Sequence, residues 1–168
     1  MSVAPHIPGL MVRRFEDRDV PPLQALFDLD PEFFHAINGR DIPVAEIRTA
    51  LPPGRAVDDK FFFALVKDDR VAGMIDIIRG YPEPATWFLG FLYLAKDARG
   101  KGAGRSALQA LYGWVRTQGG SALRLGVVEG NTRARWLYAT EGFVYKGVRE
   151  PDPAVNRVRR TLVLERPL

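Results

Sequence analysis

The feature of this 168-residue sequence that most constrains its fold is an apolar strand followed by a glycine-rich loop and an amphipathic helix. Residues 87–94 are almost wholly apolar, which is typical of a strand buried on both faces. After the loop, apolar residues recur at helical spacing at Ala107, Leu108, Leu111, Trp114 and Val115. Gly119 and Gly120 end this helix, and residues 123–127 then alternate as a strand. This strand–helix–strand unit predicts one parallel pair of strands.

The other segments predict an antiparallel sheet around that parallel pair. Strands are predicted at residues 10–15, 61–66, 71–79, 143–149 and 157–165. Helices are predicted at residues 19–29, 43–51 and 131–140. Asp19 offers an N-cap before Pro21 and Pro22. The chain has no repeat and no long linker, so we expect a single α/β domain over residues 1–168.

Composition excludes several classes of protein. The chain has no cysteine and only two histidines, His6 and His35, so we expect no disulfide, no thiol nucleophile and no metal site. No signal peptide and no membrane-length apolar run is found, which predicts a cytoplasmic protein with no membrane partner. The net charge of +4 is modest, and the basic residues are not interleaved with aromatics on a dense face. We therefore expect no nucleic-acid partner.

The glycine-rich loop is a candidate phosphate site. It comprises Arg99, Gly100, Lys101, Gly102, Ala103, Gly104 and Arg105. Glycines let the backbone approach a ligand closely, and the helix that begins here presents unpaired N–H groups and a positive dipole end. A pyrophosphate suits such a helix start, and the three basic side chains add positive charge. The alternative is a plain strand-to-helix turn whose glycines serve tight packing.

Two common phosphate motifs fit this loop poorly. A P-loop would place glycine where Arg99 stands. A dinucleotide-binding pattern can be drawn over residues 102–107, but it expects an acidic residue about 20 positions later. The next acidic residue is Glu129, and too few strand–helix units follow to build a doubly wound sheet.

A second motif lies at residues 131–143, where Asn131 can cap a helix and Tyr138 lies on its apolar face. Together the two stretches resemble the GNAT superfamily of acetyl-coenzyme A-dependent N-acetyltransferases. The signature [QR]-x-x-G-x-[GA] is matched by residues 99–104, and N-x-x-A-x-x-[LF]-Y-x-x-x-G-F is matched by residues 131–143 without a gap. The resemblance covers most of the chain, although residues 1–60 match only in outline. It implies a mixed, mostly antiparallel sheet flanked by helices, whose one parallel pair splays apart.

The resemblance implies which residues bind acetyl-coenzyme A, the acyl-donor substrate. Backbone groups of Leu92 and Leu94 would pair with the pantetheine arm as if it were an added strand. Gly90 fits a bulge that splays the strand and opens the cleft. Amides of residues 99–105 would hold the pyrophosphate, and Asn131 would bond the pantetheine arm near the thiol.

The resemblance also implies a direct attack of an amine on the thioester. The N–H of Leu94 would polarise the carbonyl, and Tyr138 would donate a proton or hydrogen bond to the leaving sulfur. Many relatives carry a glutamate base in the central strand or the next one, but this chain has apolar residues or glycine there. Asp76, Glu83, Glu129 or an ordered water are the candidate bases.

The sequence does not identify the acceptor, which we expect to be a small-molecule or peptide amine. Aromatic candidates for the acceptor pocket are Phe33, Phe34, His35, Tyr81 and Trp87. An alternative function is a non-catalytic domain that binds acyl-coenzyme A as a sensor or regulator. A longer acyl chain, or transfer to oxygen, would keep the fold and alter the pocket. By family habit, a homodimer through the closing strands is expected.

Overall fold

A computed structural model describes residues 3–168, which contain seven strands and five α-helices. The strands are β1 (Met11–Arg14), β2 (Lys60–Lys67), β3 (Arg70–Arg79), β4 (Thr86–Leu94), β5 (Ala122–Val128), β6 (Val144–Arg149) and β7 (Thr161–Pro167). The helices are α1 (Val20–Asp28), α2 (Pro31–Asn38), α3 (Val44–Thr49), α4 (Ala103–Thr117) and α5 (Thr132–Thr140). One sheet joins the strands in the order β1-β2-β3-β4-β5-β7-β6. Only the β4–β5 pair is parallel within the described residues, so the predicted α/β fold with a mixed, mostly antiparallel sheet is confirmed.

The region before β2 contains one helix more than the sequence predicted. The additional helix, α2, begins at Pro31 directly after Asp30 and ends at Asn38, and the next residue, Gly39, has a left-handed φ of +75°. Proline at the first helical position and a left-handed glycine after the last are typical signals for the start and end of a helix. Its eight residues span only about two turns, so their periodicity was too short to be detected.

The last predicted strand is wrong at its beginning. We expected it to span residues 157–165, but β7 begins at Thr161. Arg157 instead pairs with Asp152 through two backbone hydrogen bonds of 2.8 and 2.9 Å, which close a separate loop between β6 and β7. The basic residues 157–160 therefore lie in this loop and not on the face of a strand.

Two apolar clusters cover the two faces of the sheet. The α4-side cluster joins α4 to the sheet and includes Trp87, Leu89, Leu108, Leu111 and Leu125. The α1-side cluster joins α1, α2 and α3 to the other face and includes Leu23, Phe27, Phe34, Phe62, Met74 and Tyr93. Each fully buried large side chain contributes about 1.5–3 kcal/mol to folding. β4 contributes Trp87 and Leu89 to one cluster and Tyr93 to the other, so packing on both faces of the sheet holds it in position.

A bulge and a splay interrupt the sheet at β4. Asp76 of β3 pairs with Phe91 and Ile77 pairs with Leu89, so Gly90 is the extra residue of a β-bulge, as the sequence predicted. The β4–β5 ladder contains only four pairs and ends at Leu89 and Leu125. Beyond that point the two strands are unpaired, and the region between their unpaired halves is called the cleft below.

Candidate active site

The second half of β4 directs backbone groups into the cleft. Ala95 N donates to Ala72 O at 2.7 Å, so the backbone of Ala95 faces β3. Because successive residues of a strand point their N–H and C=O groups to opposite sides, Leu92 and Leu94 face away from β3. That side is the cleft, since β5 no longer pairs there. The two residues predicted to hold the pantetheine arm therefore have their backbone groups in the cleft.

Arg99 occupies one of these backbone groups. Its Nε donates to Leu94 O at 2.7 Å, and its Nη2 binds Asp30. The guanidinium also lies 4.7 Å from the centroid of the Phe33 ring. Leu94 thus retains its N–H, and not its carbonyl, for a ligand.

The glycine-rich loop has a left-handed backbone at three successive residues directly before α4. Gly100, Lys101 and Gly102 have successive φ values of +86°, +53° and +77°. A positive φ is uncommon for a residue with a side chain, so Lys101 is held in a costly conformation. α4 begins directly afterwards at Ala103, and the first N–H groups of a helix have no partner inside it. No atom lies within 4 Å of the Cβ position of Gly100 or Gly102, so this side of the loop is open.

Two of the three basic side chains in the loop are committed to protein contacts. Arg99 is bound to Asp30, as described above, and Arg105 Nε lies 2.8 Å from Glu141 Oε1. Lys101 is exposed and makes no ion pair within residues 3–168. Lys101 is thus the basic side chain of the loop that no ion pair restrains, and the predicted contribution of all three charges to a phosphate site stays a prediction.

Asn131 performs the capping role that the sequence predicted. Its Oδ1 accepts a hydrogen bond from Ala134 N at 3.2 Å and so begins α5. The side-chain oxygen is therefore occupied, and the Nδ2 amide is the group that remains to donate to a ligand. The predicted contact with pantetheine stays a prediction.

Tyr138 lies on the inner side of α5. Its ring is 5.5 Å from that of Phe143 in an edge-to-face arrangement. Burial raises the pKa of its phenol to about 12, and no residue in the described part of the chain perturbs it by a hydrogen bond. Tyr138 is therefore protonated at every physiological pH and is available as a hydrogen-bond donor.

The three candidate carboxylate bases occupy different environments. Glu83 is exposed in the turn before β4. Glu129 lies after β5, half-exposed, with its Oε1 3.1 Å from Arg160 Nη1. Asp76 is buried beside the bulge, and desolvation raises its pKa to about 6 against the opposing charge of Lys60. Only Asp76 combines burial, a perturbed pKa and proximity to the cleft.

The aromatic candidates for an acceptor pocket are divided by the sheet. Trp87 lies in the α4-side cluster, with its ring 5.3 Å from that of Trp114, so it faces away from the others. Phe33 and Phe34 contact Phe91 and Tyr93 on the α1 side. His35 is exposed and its Nε2 lies 3.0 Å from Asp41.

The turn before β4 contacts the closing strands. Arg149 at the end of β6 donates from Nη2 to the Tyr81 hydroxyl at 3.4 Å. The same guanidinium lies 5.2 Å from the Phe88 ring. Tyr81 and Arg149 thus lie together on the α1 side of the sheet, next to the bulge.

A second concave surface lies away from the cleft. A groove of about 730 Å³ lies between α5 and the β6–β7 hairpin, lined by Arg135, Trp136 and Tyr145 among others. Tyr138 points from the other side of α5 and does not line it. Within residues 3–168, no three His, Cys, Asp or Glu side chains are grouped closely enough to hold a metal ion. None of the described helices is both long and apolar enough to cross a membrane.

Comparison with known families decides the classification. The model of the acetyltransferase (GNAT) family matches residues 23–143, which is well over half of the chain. The chain belongs to the GNAT acetyltransferase family. This match includes the bulge, the splayed strands, the glycine-rich loop and Tyr138. No curated protein sequence matches the chain.

Solved structures of GNAT proteins have the same fold. A GCN5-related N-acetyltransferase from Kribbella flavida is 26% identical, with a TM-score of 0.67 over 95% of this chain and 98% of its own. A ribosomal-protein-alanine N-acetyltransferase from Brucella melitensis is 24% identical, with a TM-score of 0.69 over 95% and 100%. An acetyl transferase from Salmonella typhimurium, which modifies the N-terminal serine of ribosomal protein L7/L12, is 14% identical with a TM-score of 0.73 over 96% of each chain.

Sequence reasoning missed two side chains beside the cleft. Lys60 was not singled out, yet its Nζ lies 2.7 Å from Asp76 Oδ1. Asp30 was not singled out, yet it binds Arg99 of the first motif. One signal was present for the first pair, because Asp76 is a lone carboxylate within an apolar strand, and a buried charge needs a partner.

Proposed function

We propose that this protein transfers the acetyl group of acetyl-coenzyme A to an amine. The observation that carries the proposal is the splay of β4 from β5 beside a glycine-rich helix start. Membership of the GNAT family supports the acetyl donor. Two structural neighbours act on amino groups of ribosomal proteins, which supports an amine as the acceptor class.

The donor would bind as an added strand along β4. Backbone groups of Leu92 and the N–H of Leu94 would pair with the amides of the pantetheine arm. The pyrophosphate would lie at the start of α4, where unpaired N–H groups and the helix dipole favour an anion. Lys101 adds an available positive charge there, and Asn131 Nδ2 lies at the start of α5 as a further donor.

The reaction would proceed by direct attack. The lone pair of the neutral amine attacks the thioester carbonyl, a C–N bond forms, and the Leu94 N–H stabilises the oxyanion. The intermediate collapses, the C–S bond breaks, and the thiolate of coenzyme A leaves. With a pKa of about 12, the Tyr138 phenol is about 3.5 units less acidic than a thiol of pKa about 8.5. Complete transfer would cost about 5 kcal/mol, so Tyr138 acts by hydrogen bonding to the developing thiolate.

The first test is release of free thiol from acetyl-coenzyme A in the presence of a broad panel of amines. We expect turnover with at least one amine, and a Tyr138→Phe variant that is at least about 10-fold slower. Tyr145→Phe is the matched control, because Tyr145 is 61% exposed and lies on the edge strand β6. That control should remain within about twofold of the unaltered protein.

Three outcomes separate the alternatives. Turnover reduced by Tyr138→Phe and not by Tyr145→Phe supports the proposal. Binding of acetyl-coenzyme A, measured by calorimetry, without thiol release across the panel favours the sensor or regulator. Failure to bind acetyl-coenzyme A contradicts both.

A further inference from the structure

The α1 side of the sheet is the side from which an acceptor would reach the cleft. Ala103 at the start of α4 and Tyr138 on α5 both pack against the α4-side cluster. The donor groups proposed to contact these two helices would therefore lie on the α4 side. The other side is left for the acceptor, and Gly126 of β5, which lies between two residues of the α4-side cluster, is exposed there.

Arg149 faces this α1 side from the end of β6. Its guanidinium lies 5.2 Å from the centroid of the Phe88 ring and 5.9 Å from that of the Tyr81 ring. Phe88 lies on β4 between Trp87 and Leu89, which both belong to the α4-side cluster, so the Phe88 side chain points to the opposite side. Leu89 is the last residue of β4 that pairs with β5. The Arg149 guanidinium thus packs on two aromatic rings next to the point where the strands separate.

The hydrogen bonding of this guanidinium is incomplete. Its Nη2 donates to the Tyr81 hydroxyl at 3.4 Å. Within residues 3–168, no carboxylate forms an ion pair with Arg149, and no acceptor is bound to its Nε or Nη1, both of which are accessible to solvent. A guanidinium presents its N–H groups as a rigid fork that fits a carboxylate with two parallel hydrogen bonds. Arg149 therefore retains the donors that a carboxylate needs.

Arg149 differs in this respect from every other partly buried arginine within residues 3–168. Each of the others lies within ion-pair distance of a carboxylate or donates to a backbone carbonyl. Arg99, for example, binds Asp30. A charge that is partly removed from water is normally paired, because the loss of hydration costs free energy. An anion supplied by a ligand would explain the exception.

The carboxylates near Arg149 in the sequence and on the closing strands do not neutralise it. Glu150 and Glu165 each bind another arginine, at 3.1 and 2.7 Å. Glu83, in the turn that contains Tyr81, is exposed and forms no ion pair with any described residue. The positive charge of Arg149 is thus available to a ligand.

We propose that Arg149 binds a carboxylate of the acceptor, so that the acceptor is an amine with a carboxylate in the same molecule, as in an amino acid or a peptide with a free C-terminus. This inference rests on the proposed function and adds the substrate class to it. The guanidinium would also repel the ammonium end of such a molecule, which directs the amine away from Arg149 and toward the thioester. Leu92 lies four residues beyond Phe88, or at most about 13 Å along β4, so the two groups lie at opposite ends of the acceptor.

The first experiment observes Arg149 without turnover. Protein labelled with ¹⁵N in its arginine side chains is titrated with sodium butyrate, and with sodium chloride at equal ionic strength as reference. The Nε–H resonances of Arg149 and Arg116 are assigned by their absence from Arg149→Lys and Arg116→Lys. Arg116 is the control, because it is exposed on α4 and forms no ion pair with any described residue.

We expect butyrate to shift the Arg149 resonance saturably, while the Arg116 resonance follows the salt reference. A butyrate-dependent shift of Arg149 that is no larger than that of Arg116 would overturn the proposal.

The second experiment compares triglycine with triglycine amide in the thiol-release assay, together with further pairs of an amino acid and its carboxamide. The amine and the carboxylate of extended triglycine lie about 10 Å apart. We expect the acid of each reacting pair to be the better acceptor by at least about 10-fold in kcat/KM, mainly through a lower KM. Arg149→Gln should bring acid and amide within about twofold of each other, whereas Arg116→Gln should keep the preference.

The preference for the acid is the result that decides this experiment. A best acceptor without an anionic group, or a preference that survives Arg149→Gln, would overturn the proposal. The ratio of acid to amide is measured within one variant, so a general loss of activity does not change it. Circular dichroism establishes that each variant is folded.

The two proposals fail in different ways. If the protein does not bind acetyl-coenzyme A, the proposed function fails, and the butyrate titration still decides whether Arg149 binds a carboxylate. If an amine is acetylated but acid and amide react equally, only the anionic acceptor fails.

Discussion

Two buried carboxylates on the α1 side of the sheet differ in how fully they are bonded. Asp30 and Asp76 are 2% and 6% exposed. Asp30 Oδ2 accepts from Arg99 and from the Tyr93 hydroxyl at 3.2 Å, and Lys96 Nζ lies 3.8 Å from its Oδ1. Asp76 has Lys60 Nζ 2.7 Å from its Oδ1, which accepts no hydrogen bond from the described residues, and its Oδ2 would lie only 2.6 Å from a Cβ atom on Gly90.

The contrast separates a structural role from a chemical one. Asp30 connects the α1–α2 junction to Arg99, which in turn holds Leu94 O at the end of β4. Its bonds are used inside the protein, so it stabilises the cleft without acting in it. Asp76 is also buried, but its Oδ1 accepts no hydrogen bond from the described residues. Burial alone therefore does not distinguish the two carboxylates, whereas the hydrogen bonds that each one accepts do.

The largest expected effect on stability is that of Asp30→Asn. The substitution leaves Arg99 without its buried carboxylate, and loss of one member of a buried pair costs about 3–5 kcal/mol. We expect the free energy of unfolding, measured by urea denaturation, to fall by about 4 kcal/mol. Asp58→Asn is the control, since Asp58 is exposed, and it should change stability by less than about 0.5 kcal/mol. Equal free energies of unfolding for the two variants would contradict a stabilising role for Asp30.

The next largest effect is a pH dependence of the free energy of unfolding that arises from Asp76. Its pKa of about 6 in the folded protein lies above the ordinary 3.8, so the folded state binds its proton more tightly than the unfolded state does. The resulting stabilisation is full below about pH 4 and is lost as the pH rises through about 6. Relative to Asp76→Asn, the unaltered protein should lose roughly 3 kcal/mol of stability over that range.

Urea unfolding of both proteins at intervals from pH 4 to pH 7 measures this difference. Asp19 and Asp59 have lowered pKa values, so their contributions to stability increase with pH. Both residues are present in each protein, so these contributions cancel in the difference between the two free energies of unfolding. A difference that stays constant with pH would mean that Asp76 is not held in a desolvating site.

A smaller change in stability distinguishes Gly90, which lies against Asp76, from a glycine whose Cβ position is unobstructed. Gly90→Ala forces Asp76 to move, and overpacking of this kind costs about 1–3 kcal/mol. Gly113 lies in α4 with no atom within 4 Å of its Cβ position, so Gly113→Ala should instead stabilise by about 0.5–1 kcal/mol. Thermal unfolding of the two variants should therefore shift in opposite directions. A shared direction would show that the space above Asp76 is not restricted.

The parts of the molecule that depend on neighbouring residues were predictable from the sequence. The loop and helix at residues 99–117, the Asn131 cap and the Gly90 bulge each involve residues close together in the chain. Their glycine, capping and apolar patterns were sufficient to predict the family, the cleft and the position of Tyr138. The eight-residue helix α2 was the exception, because two turns are too short for periodicity to detect.

The parts that depend on strand register and distant contacts were not predictable. Lys60 meets Asp76 because Phe62, two residues after Lys60, pairs with Asp76 across β2 and β3. Arg99 meets Asp30 across 69 positions of sequence, which is why its side chain was assigned to a phosphate instead. The sequence placed Asp76 among several candidate bases, and only these contacts distinguish its surroundings from those of Glu83 and Glu129.

The most direct test of the account is the pH dependence of acetyl transfer by the unaltered protein and by Asp76→Asn, with the same saturating amine. The account predicts that kcat of the unaltered protein falls below about pH 6, as Asp76 becomes protonated. It also predicts that Asp76→Asn is at least about 100-fold slower and that its kcat does not fall below about pH 6. An Asp76→Asn variant that keeps both the kcat of the unaltered protein and its decrease below about pH 6 would contradict the account.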